Sequence, residues 1–315
     1  MPARPDRGRE PLSSASALGL ADSDGGDVPA ACADADQQLS YVPAAPMMLA
    51  QEGFGTGPPN VARVYNALLG GKDNYEADRR AAQEVRRHRP HVVAGARANR
   101  RFLARVVRYL AAECGVRQFI DLGTGLPCPD NTHEVAQQVA ADCRVVYVDN
   151  DPVVLTHARA LLTCTPPGSC DYIEADVRDT ATIVAEAARA LDLAQPVAVL
   201  ALAVLHFLPD GDDPAAIVAR LAEALAPGSF MALSHLTADF ALEQVAAAAT
   251  AYNTQASVAV TPRTHAQVSG LFGGLPLVAP GVVPVTQWRP VVAGLPHRMT
   301  ADVYAGVARI GQGRR

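Results

Sequence analysis

Three aspartates follow short apolar segments of the chain at nearly equal intervals. Asp121, Asp149 and Asp176 are separated by 28 and 27 residues, and each closes a run rich in aliphatic or aromatic side chains. If these runs are parallel strands, their carboxyl ends meet at one edge of a sheet, where open α/β sheets bind ligands. Carboxylates at that edge suit a ligand that carries positive charge and hydroxyl or amino donors.

A Gly-x-Gly sequence comes directly after Asp121, with Thr124 between Gly123 and Gly125. Glycines at the end of a first strand let a ligand approach the backbone closely. The third glycine of the dinucleotide fingerprint is missing because Cys128 holds that position, and the Asp121 charge would repel a pyrophosphate. The pattern favours a cationic ligand such as S-adenosylmethionine (SAM) over a nicotinamide dinucleotide, with a purely structural turn as the plain alternative.

The other two acids suit different parts of such a ligand. Asp149 stands where the acid of dinucleotide-binding folds accepts hydrogen bonds from both ribose hydroxyls. Asp176 is placed to accept from an adenine amino group, while Val177 covers the ring. Taken alone, Asp149 could be a solvated carboxylate in a loop. Three acids at three successive strand ends are much less expected by chance, so together they favour a binding site.

The elements that would position these residues alternate between strand and helix after residue 117. Strands are predicted at 118–122, 144–148, 171–175, 197–205 and 229–233, with helices between them. Five such units indicate an open doubly wound sheet. Two further stretches, 277–285 and 304–310, suit an antiparallel edge pair. The predicted fold is α/β and Rossmann-like, with a mostly parallel seven-stranded sheet.

Three helices are predicted before the sheet, at about 61–69, 75–88 and 91–113. The predicted organisation is a disordered tail at 1–57, a helical cap at 58–116 and a cofactor-binding domain at 117–315. The segment 60–117 carries 13 basic and five acidic residues, whereas 118–315 carries 11 basic and 19 acidic ones. Methylation of RNA through the basic helices is an alternative, but the acidic body favours a small-molecule partner over nucleic acid.

The same motifs resemble those of the class I SAM-dependent methyltransferases. The first motif corresponds to 119–125, the ribose motif to 148–152 and the turn before the fifth strand to 225–230. At a finer level, 59–75, 96–100, 123–127 and 131–135 are similar to an actinobacterial methyltransferase family with a helical N-terminal extension. The resemblance covers about residues 58–310. It implies SAM as the cofactor, with Thr124 and Asn150 beside it, and it implies no particular acceptor.

The resemblance further implies that the segment 63–74 packs over the cofactor. Lys72 lies there and is the only lysine among 27 basic residues. It is a candidate point charge for a carboxylate of cofactor or substrate. Tyr65 and Arg97 are candidate cofactor contacts, and Arg63 and Asn99 are similar candidates. A surface role is the alternative for each.

Candidates for the acceptor side are histidines and the single tryptophan. His206 follows the predicted fourth strand, whose end faces the transferable methyl group in this fold. It is a candidate general base because an unperturbed imidazole titrates near neutral pH, with a structural role as the alternative. His235 and Trp288 are candidate linings of the acceptor pocket. His133, at a helix start, is expected to hold the first-motif loop.

The remaining features limit the other function classes. Six cysteines lack any CxxC pair, which predicts reduced thiols, no metal site and a cytoplasmic protein. No apolar run reaches the roughly 18 residues that span a membrane. The predicted function is methyl transfer from SAM to a small-molecule acceptor by in-line displacement. The alternatives are a SAM-binding protein without turnover, a SAM-consuming enzyme that transfers no methyl group, and a nicotinamide-dependent oxidoreductase.

Overall fold

The computed structural model describes residues 57–164, 166–256, 258–290 and 301–311. Residues 51–315 form one compact unit, which contains every helix and strand described below. The tail predicted as disordered therefore lies outside the described residues, except for Gly57. Among the helices that the structure describes, none combines the length and apolar character needed to cross a membrane.

A sheet of seven strands in the order β3-β2-β1-β4-β5-β7-β6 forms the centre of this unit. The strands are β1 Gln118–Leu122, β2 Arg144–Asp149, β3 Ser169–Glu174, β4 Val197–Leu202, β5 Phe230–Leu236, β6 Val283–Pro284 and β7 Val303–Arg309. Strands β1 to β5 run parallel, and β7 pairs antiparallel with both β5 and β6. The mostly parallel seven-stranded sheet predicted from the sequence is confirmed.

Two strands are shorter than predicted. The fourth ends at Leu202 because Ala203 takes a left-handed conformation with φ 57°, after which Leu205–Phe207 forms a 3₁₀ turn. The stretch 277–285 pairs only at Val283–Pro284 and through an isolated bridge at Leu277. Prolines within that stretch lack the N–H that a ladder needs.

Nine α-helices are described. They are α1 Val61–Leu69, α2 Glu76–His88, α3 Val92–Ala112, α4 Thr132–Val139, α5 Pro152–Leu161, α6 Thr180–Ala190, α7 Pro214–Glu223, α8 Leu242–Asn253 and α9 His265–Gly270. Asn60 caps α1 by accepting from the Arg63 N–H, and Gly70 ends it with φ 86°. Helix α8 begins only at Leu242, after the Thr237 N–H has donated to the Asp302 carbonyl beside the sheet.

Apolar side chains fill both faces of the sheet. Alternation along β1 sends Phe119 to the face covered by α3 and α4, and Ile120 to the face covered by α6 and α7. A smaller cluster joins α1, α2 and α8 through Val64, Ala81 and Tyr252. Helix α3 therefore packs on the sheet, while α1 and α2 are held through α8.

The prediction that all cysteines are reduced differs from the structure, where Cys164 and Cys170 form a disulfide. Only six residues separate them, and the chain reverses between α5 and β3, which brings their side chains together. His133 lies beside them, so three potential metal-ligand atoms fall within 4.8 Å. Because the two sulfurs are bonded to each other, no thiolate is available there for a metal.

Candidate functional site

A cavity of about 580 Å³ lies at the carboxyl edge of the parallel strands. Its floor is formed by the loops after β1, β2, β3 and β4, and its roof by residues of α1, α3 and α8. The volume is typical of small-molecule sites, which range from about 300 to 1,000 Å³. The sequence prediction that ligands bind at this edge agrees with its position.

The Gly-x-Gly sequence forms the turn between β1 and the cavity. Gly123 and Gly125 both have positive φ, of 64° and 67°, which L-residues rarely adopt. A Cβ on Gly123 would lie 2.5 Å from Val204 Cγ2, whereas a Cβ on Gly125 would meet nothing within 4 Å. The backbone at Gly125 therefore faces open space in which a ligand can approach it.

Asp121 presents a buried carboxylate at the start of this turn. Thr132, at the start of α4, donates from Oγ1 to Asp121 Oδ2 at 2.6 Å. Burial raises the pKa of Asp121 to about 6, with a smaller rise from Asp149, while Thr132 and the Arg100 charge oppose the shift. The carboxylate is ionised at neutral pH and is placed to hold an ammonium group.

Asp149 ends β2 and connects this strand to the glycine turn. Its Oδ2 accepts from the Gly125 N–H at 2.9 Å, and its Oδ1 accepts from the Asp151 N–H at 3.0 Å. Burial raises its pKa, against the lowering effect of these two N–H groups. Each oxygen retains a second lone pair, so both can still accept from a diol such as a ribose.

The third acid is held by basic and amide side chains. Asp176 Oδ2 accepts from Arg178 Nη1 at 2.8 Å and from Asn150 Nδ2 at 3.3 Å. Arg178 also pairs with Asp212 at 2.7 Å, which ties the loops after β3 and β4 together. Val177 lines the cavity beside them. The structure thus brings Asn150, Asp176 and Val177 to one wall of the cavity.

A hydrogen-bond chain links the cap to the sheet across the cavity. The Tyr65 hydroxyl donates to the Ala96 carbonyl at 3.1 Å, and Asn99 Nδ2 donates to that hydroxyl at 3.3 Å. Ser234 Oγ donates to Asn99 Oδ1 at 2.6 Å and accepts from the Ala203 N–H at 2.9 Å. Tyr65 and Asn99 line the cavity, and their contact with the cofactor stays a prediction.

The other predicted cap residues lie elsewhere. Lys72 and Arg97 are exposed and do not line the cavity, although Gly70 and Gly71 beside the lysine do. Their assignment as cofactor contacts remains a prediction. Arg63 instead forms an ion pair with the fully buried Asp78 at 2.8 Å, which fixes α1 against α2.

His206 lines the cavity in the turn after β4 and is 9% exposed. Its Nδ1 accepts from the Leu236 N–H at 3.5 Å, so the neutral ring carries its proton on Nε2. Burial holds the pKa of His206 well below its usual range, aided by the charges of His235, Arg89 and Arg263. The ring is therefore uncharged at neutral pH.

The remaining predicted side chains lie outside the cavity lining. His235 is buried, and its Nε2 accepts from Arg263 Nη1 at 2.9 Å, so it supports the turn that carries His206. Trp288 is fully buried against α3, with its ring 5.3 Å from that of Phe102. His133 packs below the sheet edge against the Tyr147 hydroxyl, at 2.7 Å. The prediction that His235 and Trp288 line an acceptor pocket differs from these positions.

Sequence reasoning missed the residues that hold the site together. Arg100 donates to the carbonyls of Pro129 and Asp130, which anchors the loop after the glycine turn. Arg263 donates to the carbonyls of Leu205 and Leu208 around His206. Arginine is 26 of the 27 basic residues, so neither stood out by residue type. Only the folded chain distinguishes them from surface arginines.

The cavity suits SAM. Two buried carboxylates, Asp121 and Asp149, are available for an ammonium and a diol, and the open space at Gly125 admits a ligand between them. Val177 offers an apolar surface beside the third acid, Asp176. A pyrophosphate would meet Asp121 and Asp149 at close range, which disfavours a nicotinamide dinucleotide.

Comparisons with known proteins agree with this geometry. A model of the S-adenosyl methyltransferase family matches residues 48–311. A crystal structure of a DUF574 family protein from Streptomyces avermitilis is 44% identical, covers 80% of this chain and 97% of its own, and gives a TM-score of 0.77. A candidate methyltransferase from Thermobifida fusca is 41% identical, covers 81% of this chain and 96% of its own, and gives a TM-score of 0.74. A search of curated proteins finds no match.

The family model spans most of the chain, and two solved structures above 40% identity cover four fifths of it. In this chain the glycine turn, Asp121 and Asp149 line the cavity at the carboxyl edge of the sheet. The chain belongs to the S-adenosyl methyltransferase family and is a SAM-dependent methyltransferase.

Proposed function

We propose that this methyltransferase acts on a small-molecule acceptor that binds in the same cavity as the cofactor. The observation that carries this proposal is the extent of the cavity. It continues from the glycine turn, past the end of β4, into an apolar chamber lined by Phe207, Val245, Ala248 and Val260. Such a chamber holds a small organic molecule, whereas a nucleic acid or protein acceptor would need an open surface.

Bound SAM supplies a methyl group on a positively charged sulfur, which a nucleophile can displace in line. The chain then has to bind both reactants in one orientation and exclude water. Helices α1 and α8 cover the cavity, and their apolar side chains meet across it through Val64 and Tyr252. This arrangement supports catalysis by alignment in a dry site.

His206 is the candidate side chain nearest to the chemistry. A neutral ring with its proton on Nε2 donates a hydrogen bond and accepts a proton poorly, because its pKa is held low. We infer that His206 orients an acceptor oxygen or nitrogen rather than deprotonating it. A general base then contributes little, and the rate is set by positioning.

The exposed arginines of α2 give little support to a nucleic-acid acceptor. Arg79 and Arg80 pair with Glu76, and Arg87 pairs with Glu84, so much of this charge is compensated within the helix. A protein that binds SAM without turnover, or one that consumes SAM without methyl transfer, shares the cofactor geometry. These alternatives differ from the proposal only in their products.

Product analysis tests the proposal. The protein is incubated with SAM and a library of small molecules, and mass spectrometry follows the nucleoside products. Methyl transfer yields S-adenosylhomocysteine (SAH) together with an acceptor that is 14 mass units heavier. Methylthioadenosine as the main product would instead support a SAM-consuming enzyme. Tight SAM binding without either product across the library would support the non-catalytic alternative.

Asp149→Ala is predicted to weaken SAH binding by about 100-fold or more. The substitution removes two charged hydrogen bonds to a diol, each worth about 1.5–3 kcal/mol. Isothermal titration calorimetry measures the loss, and circular dichroism verifies the fold. Asp171→Ala is the matched control, because Asp171 is an exposed acid on β3, away from the cavity. Retained micromolar affinity in Asp149→Ala would contradict the ribose assignment.

A further inference from the structure

The end of the cavity beyond His206 contains a buried arginine. Arg89 follows α2, is 6% exposed and lines the cavity. Its Nε donates to Asp302 Oδ2 at 2.6 Å, and this is the only hydrogen bond of its side chain to the residues that the structure describes. Within that part of the chain, Nη1 and Nη2 have no acceptor.

The free end of this guanidinium is on the cavity side. Arg89 Nη2 lies 3.6 Å from the position that a Cβ of residue 95 would take, and Gly95 itself lines the cavity. The charge of Arg89 also reaches the ring of His206, whose pKa it helps to lower. Arg89 and His206 therefore face the same space from α2 and from the turn after β4.

An arginine held in this way is prepared for an oxyanion. Asp302 fixes the guanidinium through Nε, which leaves the two terminal amino groups as a planar pair of donors. Such a pair matches the two oxygens of a carboxylate and forms short, charge-assisted hydrogen bonds with it. Because the Arg89 side chain is only 8% exposed, water screens its charge little, so a carboxylate that reaches the terminal amino groups is bound more strongly than at the surface.

The position of Arg89 assigns this donor pair to the acceptor rather than to the cofactor. Asp302 directly precedes β7, which lies three strands from β1 in the sheet order. Neighbouring strands lie about 4.8 Å apart, so β7 is roughly 14 Å from β1, the strand that carries Asp121. The ammonium and carboxylate of a methionine moiety share one carbon. A cofactor whose ammonium binds at Asp121 therefore cannot place its carboxylate at Arg89.

Several apolar side chains line the space that Arg89 and His206 face. Val92, Phe207, Leu236 and Val303 line the cavity near the ends of β5 and β7. We propose that the acceptor is a small, largely apolar carboxylic acid whose carboxylate binds the terminal amino groups of Arg89. This inference rests on the proposed function, since it names the class of acceptor for the same cavity.

Binding of matched acids and amides tests the proposal without requiring turnover. The probes are benzoate, phenylacetate and hexanoate, each paired with its neutral amide, and titrated calorimetrically into SAH-saturated protein. Each carboxylate is expected to bind at least tenfold more tightly than its amide. The test variant is Arg89→Gln combined with Asp302→Asn, because Arg89→Gln alone would leave a buried, unpaired carboxylate. Arg86→Gln, an exposed arginine of α2, is the matched control.

In the double variant the preference for carboxylates is expected to vanish while SAH affinity stays within threefold of the native value. The control variant is expected to keep the preference. Equal binding of acids and amides to the native protein, or a preference that survives in the double variant, would overturn the proposal. A loss of SAH affinity in the double variant would reassign Arg89 to the cofactor. Failure of the proposed function would appear instead in product analysis, where native protein would bind SAM and methylate nothing.

Discussion

Asp121 shows how a single buried carboxylate at the cavity lowers the stability of the folded chain. Its carboxylate is buried beside Asp149, and burial raises its pKa from the ordinary value of 3.8 to about 6. At neutral pH the folded chain therefore carries a buried negative charge that Thr132 and Arg100 compensate only in part. We propose that a cationic ligand completes that compensation, as expected for an acid placed directly before the glycine turn.

Asp121→Asn is predicted to stabilise the free protein at pH 7 by about 1–3 kcal/mol. Between about pH 4 and 6 the folded state keeps a proton that the unfolded state has lost, so the free energy of unfolding falls as pH rises through this window. The variant lacks that dependence, and the difference should vanish near pH 4. Urea denaturation at a series of pH values measures it. Equal stability at pH 7 would contradict the burial argument.

The same substitution is predicted to abolish tight binding of SAH, because a neutral amide cannot hold the ammonium group as a carboxylate does. For the native protein, SAH affinity should be constant above pH 6 and fall by about tenfold per pH unit below it, as Asp121 takes up a proton. Calorimetric titration follows both effects. An affinity that is unchanged between pH 7 and 5 would show that another group holds the ammonium.

At the scale of elements, the turn after β1 depends on its neighbours in the sheet as much as on its own residues. Both glycines have left-handed backbone conformations, but they differ in surroundings. Gly123 lies against Val204 of the turn after β4, whereas Gly125 faces the open cavity and donates its N–H to Asp149. The first glycine is required for packing between two loops, and the second for access of the ligand.

Gly123→Ala is predicted to destabilise the fold by about 1–3 kcal/mol more than Gly125→Ala. Both substitutions strain a left-handed backbone by about 1–2 kcal/mol, but only the first drives a methyl group into Val204. Adding Val204→Ala to Gly123→Ala should recover part of the difference. Urea denaturation compares the four proteins. Equal losses for both glycine variants would show that the contact with Val204 relaxes freely.

At the scale of the whole molecule, the cavity exists only because separate parts of the chain close around it. The sheet edge supplies the acids and the glycine turn, α1 and α3 supply Tyr65 and Asn99, and α8 completes the roof. The hydrogen-bond chain from Tyr65 to Ser234 and the Arg89–Asp302 pair join the cap to the sheet. Cofactor binding is therefore expected to stabilise the cap together with the sheet edge.

SAH at 100 times its Kd is predicted to slow hydrogen exchange of backbone amides in α1 and in the glycine turn by about 100-fold. This holds for amides that exchange only after the ligand has left. Amides of α9, which do not line the cavity, should exchange at an unchanged rate. Mass spectrometry of peptic fragments resolves these segments. The same ligand concentration with Asp149→Ala should slow exchange by no more than about twofold. Slowing confined to the sheet edge would show that α1 does not close over the cofactor.

The sequence alone determined the fold and the cofactor, and it predicted which residues line the cofactor site. The predicted helix boundaries in the cap lie within two residues of the observed ones. In α1, Asn60 is a local start signal and Gly70 a local stop signal. Asp121, Asp149 and Asp176 were placed at one edge because parallel strands bring their carboxyl ends together. These features depend on chain-local patterns and on one rule of sheet topology, both of which a single sequence contains.

Tertiary structure decided which of the remaining polar residues serve the site. Lys72 stood out by composition yet is exposed, whereas Arg89 did not stand out and lies buried at the cavity. The state of His206 likewise depends on burial beside His235 and Arg263, residues 29 and 57 positions away. Desolvation and pairing arise from contacts between distant segments. They leave no mark in local sequence, so only the folded chain distinguishes an arginine buried at the cavity from the many on the surface.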